Sequence, residues 1–199
     1  MRYSGLVLGA CALIATWQFL SARPFDWQPG TLVPEDPRQT DLESAEPIDL
    51  DEARLFPRAR FTAQVRVLSR ERYWLGTLAD VSPLDIAVGW GPMSDSAVLA
   101  DLDISQSGRF YFWHYDEEPP IARQDIESHS ANWHLVPANS RVWRTLRSLR
   151  VGSVVTLEGM LVDIETTDQR TVKTSLRRDD TGAGACEIIY VESASLRYR

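Results

Sequence analysis

Three histidines and one cysteine are the residues of this sequence best suited to nucleophilic or metal chemistry. A thiol hydrolase would pair Cys186 with His129 or His134. Three imidazoles, those of His114, His129 and His134, would hold a catalytic zinc and leave its fourth position open. The spacing of His129 and His134 fits neither a helical i, i+4 pair nor the HExxH pattern. The sequence therefore predicts no metal site, no cofactor and no assigned catalytic residue.

The segment from His129 to Asn139 is the richest in polar functional groups. Asn132 and His134 flank a tryptophan there, and their donors and acceptors suit either a ligand or the bracing of a long loop. Trp113 belongs to an aromatic run that would stack on bases or sugars, or pack in the core. Asp180 begins a DTGA sequence, which favours a tight turn between strands. The candidate ligand-binding residues are Asn132, His134, His129, Trp113 and Asp180.

The elements that must position these residues are mostly strands. Alternating apolar and polar residues or short apolar runs predict strands at 61–67, 85–90, 109–115, 153–165, 171–176 and 186–192. In the longest of these, the apolar phase shifts after Gly159. That shift predicts a β-bulge, with Val162 facing the core and Leu161 facing outward. Cys186 begins the last strand, where a lone cysteine is commonly a small core residue.

One helix is predicted between the strands. Asn139 or Ser140 can cap it, its apolar residues fall in one arc, and Gly152 can end it. A helix between the third and fourth strands of a small closed barrel is the OB-fold arrangement. The predicted fold is therefore mainly β, an OB-like barrel with one covering helix. A β-sandwich with one helix is the alternative.

Composition bounds the function classes. The chain has 199 residues and a net charge of −7, with enough apolar residues for a core, which excludes a wholly disordered chain. Nucleic acid is an unlikely partner for an acidic chain. Two cysteines exclude a disulfide-dense scaffold.

The amino-terminal part predicts an anchor and a linker. Arg2 precedes the apolar residues 6–20, so residues 1–20 are expected to form a signal anchor that enters the inner membrane through residues 3–20. Residues 21–55 hold five prolines and nine acidic residues against three arginines, which favours an extended acidic linker. Residues 56–199 would form the domain, in the periplasm after a single pass. Signal cleavage, giving a secreted or periplasmic protein, is the alternative.

Four segments carry a family resemblance: GWGPMSD at 89–95, ISQSGRFYFW at 104–113, HSANWHLVPAN at 129–139 and DDTGAGACE at 179–187. They resemble a family of bacterial membrane-anchored conserved hypothetical proteins of unknown function, across most of residues 60–192. The resemblance implies a bacterial, envelope-facing setting and gives no residue a catalytic role.

The expected function is a non-enzymatic, membrane-tethered periplasmic domain that binds an envelope protein or a small ligand, or acts as a scaffold. The alternative is an envelope hydrolase that uses Cys186 with His129 or His134, or a histidine-bound metal. Convergence of those side chains in an open cleft would favour the enzyme. An exposed aromatic or polar groove without convergence would favour the binding domain.

Overall fold

The computed structural model describes residues 24–177, 182 and 184–197, and over them the chain is mainly β. The strands are β1 (Arg38–Asp41), β2 (Ile48–Asp49), β3 (Ala53–Arg72), β4 (Leu84–Gly89), β5 (Asp103–Ser107), β6 (Phe110–His114), β7 (Ser130–Pro137), β8 (Val154–Thr166), β9 (Thr171–Val172) and β10 (Glu187–Arg197). The helices are α1 (Thr77–Val81), α2 (Ser96–Leu99), α3 (Arg123–Ser128) and α4 (Ser140–Arg147), with a 3-10 turn at Gly91–Ser94.

Five strands pair in a closed ring. The order is β3-β4-β7-β10-β8, and β8 pairs back with β3. All ring pairs are antiparallel except β7 and β10, which are parallel. Trp133, Ile86 and Leu157 belong to the apolar cluster at the centre of the molecule. Strands β5 and β6 form a separate hairpin, which covers the other face of β4 through a second cluster around Ala87.

The predicted helix is present as α4. The side chain of Asn139 caps it by accepting from the backbone N–H groups of Arg141 and Val142, each at 3.0 Å. Val142 and Leu146 face the core, as the apolar arc requires. The helix lies between β7 and β8 in the chain and contacts β7 and β10.

All six predicted strands fall on observed ones, but the segment 129–139 was expected to be a loop and is largely strand β7. Its period of two is hidden because both faces are buried: Trp133 and Leu135 face the central cluster, while Asn132 and His134 lie under the hairpin. Two polar residues on a buried face gave the appearance of a loop.

The bulge predicted at Gly159 is wrong. Strand β8 pairs without interruption, and the extra residues lie on its neighbours, at Arg58 in β3 and Glu192 in β10. Leu161 is fully buried in the central cluster. Met160 and Val162 belong to a third apolar cluster, on the other face of β8 and separate from the one around Ala87. Asp163 is buried too, and Arg58 and the Thr174 amide satisfy its carboxylate.

The extended linker is not observed over residues 24–55, because this stretch packs on the domain. Strand β1 pairs with β3, and Val33 is buried in the central cluster. The Ser94 hydroxyl accepts from the amides of Leu32 and Val33 at 3.1 and 3.0 Å. Proline removes donors from the segment, but the remaining amides find partners in the domain.

Within the described residues, none of the helices has the length and apolar character needed to cross a membrane. The predicted anchor at residues 1–20 lies outside the described residues.

Candidate functional site

The site begins with two buried polar residues on neighbouring strands. Asp85 in β4 and His134 in β7 are directly opposite each other in register. The Asp85 side chain is fully buried, and His134 is 8% exposed. Nδ1 of His134 lies 2.9 Å from Oδ1 of Asp85, which is hydrogen-bonding distance, although the carboxylate lies off the N–H direction. A carboxylate at Nδ1 leaves Nε2 as the nitrogen that can serve a second partner.

Arg109 approaches the same carboxylate from the β5–β6 hairpin. Its Nη1 donates to Oδ1 of Asp85 at 3.0 Å, and its Nη2 donates to the Ser82 carbonyl at 3.0 Å. The guanidinium also stacks 4.0 Å over the ring of Tyr73. Two cationic side chains therefore meet one oxygen of a buried carboxylate.

The hairpin turn places Arg109 by adopting an unusual backbone. Gly108 and Arg109 have φ values of 60° and 69°, as a two-residue type I′ turn requires. Glycine takes that conformation freely, whereas a residue with a side chain loses roughly 1–2 kcal/mol. The contacts of Arg109 with Asp85, Ser82 and Tyr73 offset that cost.

Cys186 completes the group from the carboxyl-terminal end of the chain. It immediately precedes β10, whose parallel pairing sets Ile188 opposite His134. The Cys186 side chain is close enough to the His134 imidazole to raise its pKa. Its sulfur lies 3.8 Å from Nδ2 of Asn132 and 3.9 Å from the Arg109 carbonyl oxygen. Asp85 and Cys186 are the two side chains that most strongly raise the pKa of His134.

Asn132 is held in one orientation beside the sulfur. Its Oδ1 accepts from Nε2 of Gln106 at 2.6 Å, and its Nδ2 donates to the Arg109 carbonyl at 3.1 Å. A side-chain amide nitrogen has two hydrogens, so the second N–H is directed toward Cys186.

Opposing effects determine the pKa of His134. Burial of the ring lowers it, but the polar contacts and negative charges of Asp85 and Cys186 raise it by more, and the pKa reaches about 9. The ring is therefore protonated at neutral pH.

A cavity of about 220 Å³ opens onto this group. Cys186 and Asn132 are on its wall, and Phe110, Phe112 and Trp113 supply aromatic surface. Phe110 and Phe112 are 44% and 52% exposed, which is unusual for such large apolar side chains. The cavity combines a thiol, an amide donor and an apolar wall.

The predicted site residues divide into three groups. Asn132 and Trp113 line the cavity, and His134 follows Asn132 by two positions in β7, opposite Asp85. His129 is elsewhere: its ring contacts Trp90, and its Nδ1 lies 2.9 Å from the Asp125 carbonyl. Asp180 is outside the described residues.

Sequence reasoning missed Asp85, Arg109 and Tyr73 as parts of the site. Asp85 lies in a buried apolar run of β4, where a charged residue needs a partner. That signal marks Asp85 as unusual but does not name Arg109.

Two arginines near the hairpin, Arg109 and Arg123, are each paired with a carboxylate. Arg109 is used against Asp85, and Arg123 pairs with Glu127 at 2.9 Å. Across the described residues, no group of three His, Cys, Asp or Glu side chains is arranged to hold a metal ion.

Searches against protein-family models, curated proteins and solved structures found no match to this chain.

Proposed function

We propose that this protein is a cysteine-dependent acyl-transfer hydrolase, with Cys186 as nucleophile, His134 as acid and base, and Asp85 as the group that orients His134. One observation carries the proposal: the His134 imidazole lies 2.9 Å from the Asp85 carboxylate and is close enough to Cys186 for that side chain to raise its pKa, and Cys186 lines an open cavity. A nucleophile, a base and an orienting carboxylate in contact are the recurring arrangement of nucleophilic catalysis.

The reaction balances with these residues and water. The Cys186 thiolate attacks the carbonyl carbon of an ester, thioester or amide, and a carbon–sulfur bond forms. The bond to the leaving group breaks, and that group takes the proton of the His134 imidazolium. Neutral His134 then accepts a proton from water, which attacks the thioester, releases the acid and restores the pair.

The surrounding residues suit this chemistry. The N–H of Asn132 that points toward Cys186 is available to the oxygen that becomes negative during attack. Phe110 and Phe112 form an apolar wall beside Cys186, so the acyl group is expected to be aliphatic or aromatic.

The second candidate is a non-enzymatic binding domain. The exposed rings of Phe110 and Phe112 favour it, because an apolar ligand would bind there without any nucleophile. The two candidates differ in whether His134 acts as acid and base for Cys186: the hydrolase needs this role, and the binding domain does not.

The deciding experiment measures covalent reaction at Cys186 with p-nitrophenyl butyrate at pH 7, by mass spectrometry of the peptide that carries it, since Cys11 is a second thiol. We expect acylation in the wild type and a loss of about 100-fold in His134→Gln. His129→Gln is the matched control, because His129 contacts Trp90 instead, and it should acylate normally. Equal rates in all three proteins, with ligand binding retained, would select the binding domain.

We further propose an OB-like barrel. Support comes from the order of the ring, β3-β4-β7-β10-β8, from the parallel pair β7 and β10, and from the position of α4 between the third and fourth ring strands.

We also propose that residues 1–20 anchor the chain in the inner membrane of a bacterium, with the domain in the periplasm. Arg2 before the apolar segment and the resemblance to membrane-anchored bacterial proteins support this. A phosphatase reporter fused after Arg199 should be active outside the cytoplasm. A cytoplasmic reporter active in the same position would reverse the orientation.

A further inference from the structure

The exposed large apolar side chains of the described residues form two groups, and only one of them is at the cavity. Phe110 and Phe112 belong to the cavity. Trp74, Leu75 and Val151 do not, and they are 69%, 92% and 40% exposed. Large exposed apolar side chains that lie together are typical of surfaces that contact a partner or a membrane.

Arg72 connects Trp74 to helix α4. Its guanidinium lies 3.5 Å from the ring centroid of Trp74 and 5.2 Å from that of Trp143 in α4. Arg70, on the same strand, donates to the Leu149 carbonyl at 2.7 Å, just past the end of α4. Trp74, Leu75, α4 and the turn at Val151 are therefore one continuous surface, called here the Trp74 face.

The Trp74 face is strongly basic in an acidic chain. Its segments, 24–27, 70–75 and 140–152, carry Arg70, Arg72, Arg141, Arg144, Arg147 and Arg150. The acidic residues in the same segments are Asp26 and Glu71, and Glu71 accepts a hydrogen bond from Tyr73. These segments therefore have a positive net charge, whereas the whole chain has a net charge of −7.

The amino-terminal end of the described chain lies on the same face. The Phe25 amide donates to the Val151 carbonyl at 2.8 Å, and Arg150 lies 5.0 Å from the Phe25 ring centroid. Leu20, the last residue of the apolar segment, is four positions before Pro24. Four residues span at most about 14 Å.

We propose that the Trp74 face binds the anionic headgroup surface of a phospholipid membrane. Trp74 would enter the interface, as tryptophan does at membrane boundaries, and Leu75 would reach the acyl chains. The arginines would contact lipid phosphates, each contributing about a fivefold change in binding. This interaction depends on neither the chemistry of Cys186 nor the orientation of the anchor.

The test is hydrogen–deuterium exchange of the full chain in nanodiscs of phosphatidylcholine, with or without 30% phosphatidylglycerol. We expect exchange at residues 70–76 and 141–152 to slow at least fivefold with phosphatidylglycerol, and the protection to disappear in 0.5 M salt. Arg144→Glu/Arg147→Glu and Trp74→Ser/Leu75→Ser should each lose the protection. All four positions are exposed, so the variants should fold. Lys173→Glu is the matched control, because Lys173 is exposed and follows β9, at the opposite end of β8 from α4.

Equal exchange in both nanodiscs would overturn the proposal. Protection that persists in the arginine and tryptophan variants would also overturn it, since the contact would then lie elsewhere. If a single-stranded oligonucleotide protects 141–152 while phosphatidylglycerol does not, the face binds nucleic acid and the membrane assignment is wrong. A failed anchor proposal is recognised separately, by release of the wild-type chain from the nanodisc.

Discussion

At the scale of single residues, the site depends on Asp85, a buried carboxylate with one negative charge and two cationic neighbours. Arg109 and His134 both lie within 3.0 Å of Oδ1 of Asp85. Removing Asp85 would leave two buried cations facing each other, which is more costly than losing one hydrogen bond. The sequence offered Cys186 with His129 or His134 as one alternative, and it did not reveal Arg109, which joins the group through a turn with positive φ.

The raised pKa of His134 gives the first prediction. The folded-state pKa of about 9 is above the ordinary 6.5. Protonation therefore stabilises the fold fully below pH 6.5, and this contribution is lost as the pH rises to 9. The upper limit is about 3 kcal/mol of unfolding free energy. Urea denaturation between pH 6 and 9.5 should show this decline in the wild type and not in His134→Gln.

Cys186 provides the internal control for that measurement. Its contact is one of the causes that raise the pKa of His134. Cys186→Ala should therefore show a smaller decline over the same pH range than the wild type. If the unfolding free energies of His134→Gln and Cys186→Ala declined with pH as much as that of the wild type, the decline would come from other titrating groups.

At the scale of elements, β8 shows why a strand with two buried faces misleads pattern analysis. Alternation identified the strand and its length closely. It failed at the faces, because Met160, Leu161 and Val162 are apolar in succession and both sides are covered. Gly159 has a different role from the one expected: a Cβ there would lie 2.0 Å from the Tyr190 carbonyl, so glycine permits β10 to approach.

Leu161 tests the register of β8. Because its side chain is fully buried in the central cluster, Leu161→Asp should destabilise the protein by about 3 kcal/mol or more through an unpaired buried charge. Glu158→Lys, at an exposed position of the same strand, should change stability by less than about 0.5 kcal/mol. Thermal unfolding of both variants gives the comparison, and a mild effect at Leu161 would restore the outward-facing assignment.

At the scale of the whole molecule, the acidic segment is part of the folded unit. Proline and charge content correctly described its composition, but composition does not show that Val33 fills a place in the core or that Ser94 binds its backbone. The two apolar residues Leu32 and Val33 are too short a run to carry much signal, and their partner Ser94 is more than 60 positions away.

Truncation separates the packed segment from the part before it. A chain lacking residues 1–23 should keep its thermal stability, whereas one lacking residues 1–52 should aggregate or melt at a much lower temperature, because β1, β2 and Val33 are lost. Val33→Asp should imitate the longer deletion in the intact chain, by about 3 kcal/mol. Leu75→Asp, at a position 92% exposed, is the matched control. Equal stability of the two truncated chains would show that residues 24–52 act as a linker and do not stabilise the domain.

Because β10 pairs with β7 and β8, the site can be assembled only after β10 has been synthesised. Asp85, Arg109, Asn132 and His134 all emerge from the ribosome before Cys186, which follows Asn132 by 54 positions. Only when the last strand inserts between β7 and β8 does the ring close, and such distant pairing is slow. A nascent chain, or one truncated before Cys186, therefore carries Asp85, Arg109, Asn132 and His134 without the Cys186 sulfur. On the proposed function, an unfinished chain would have no nucleophile with which to react prematurely.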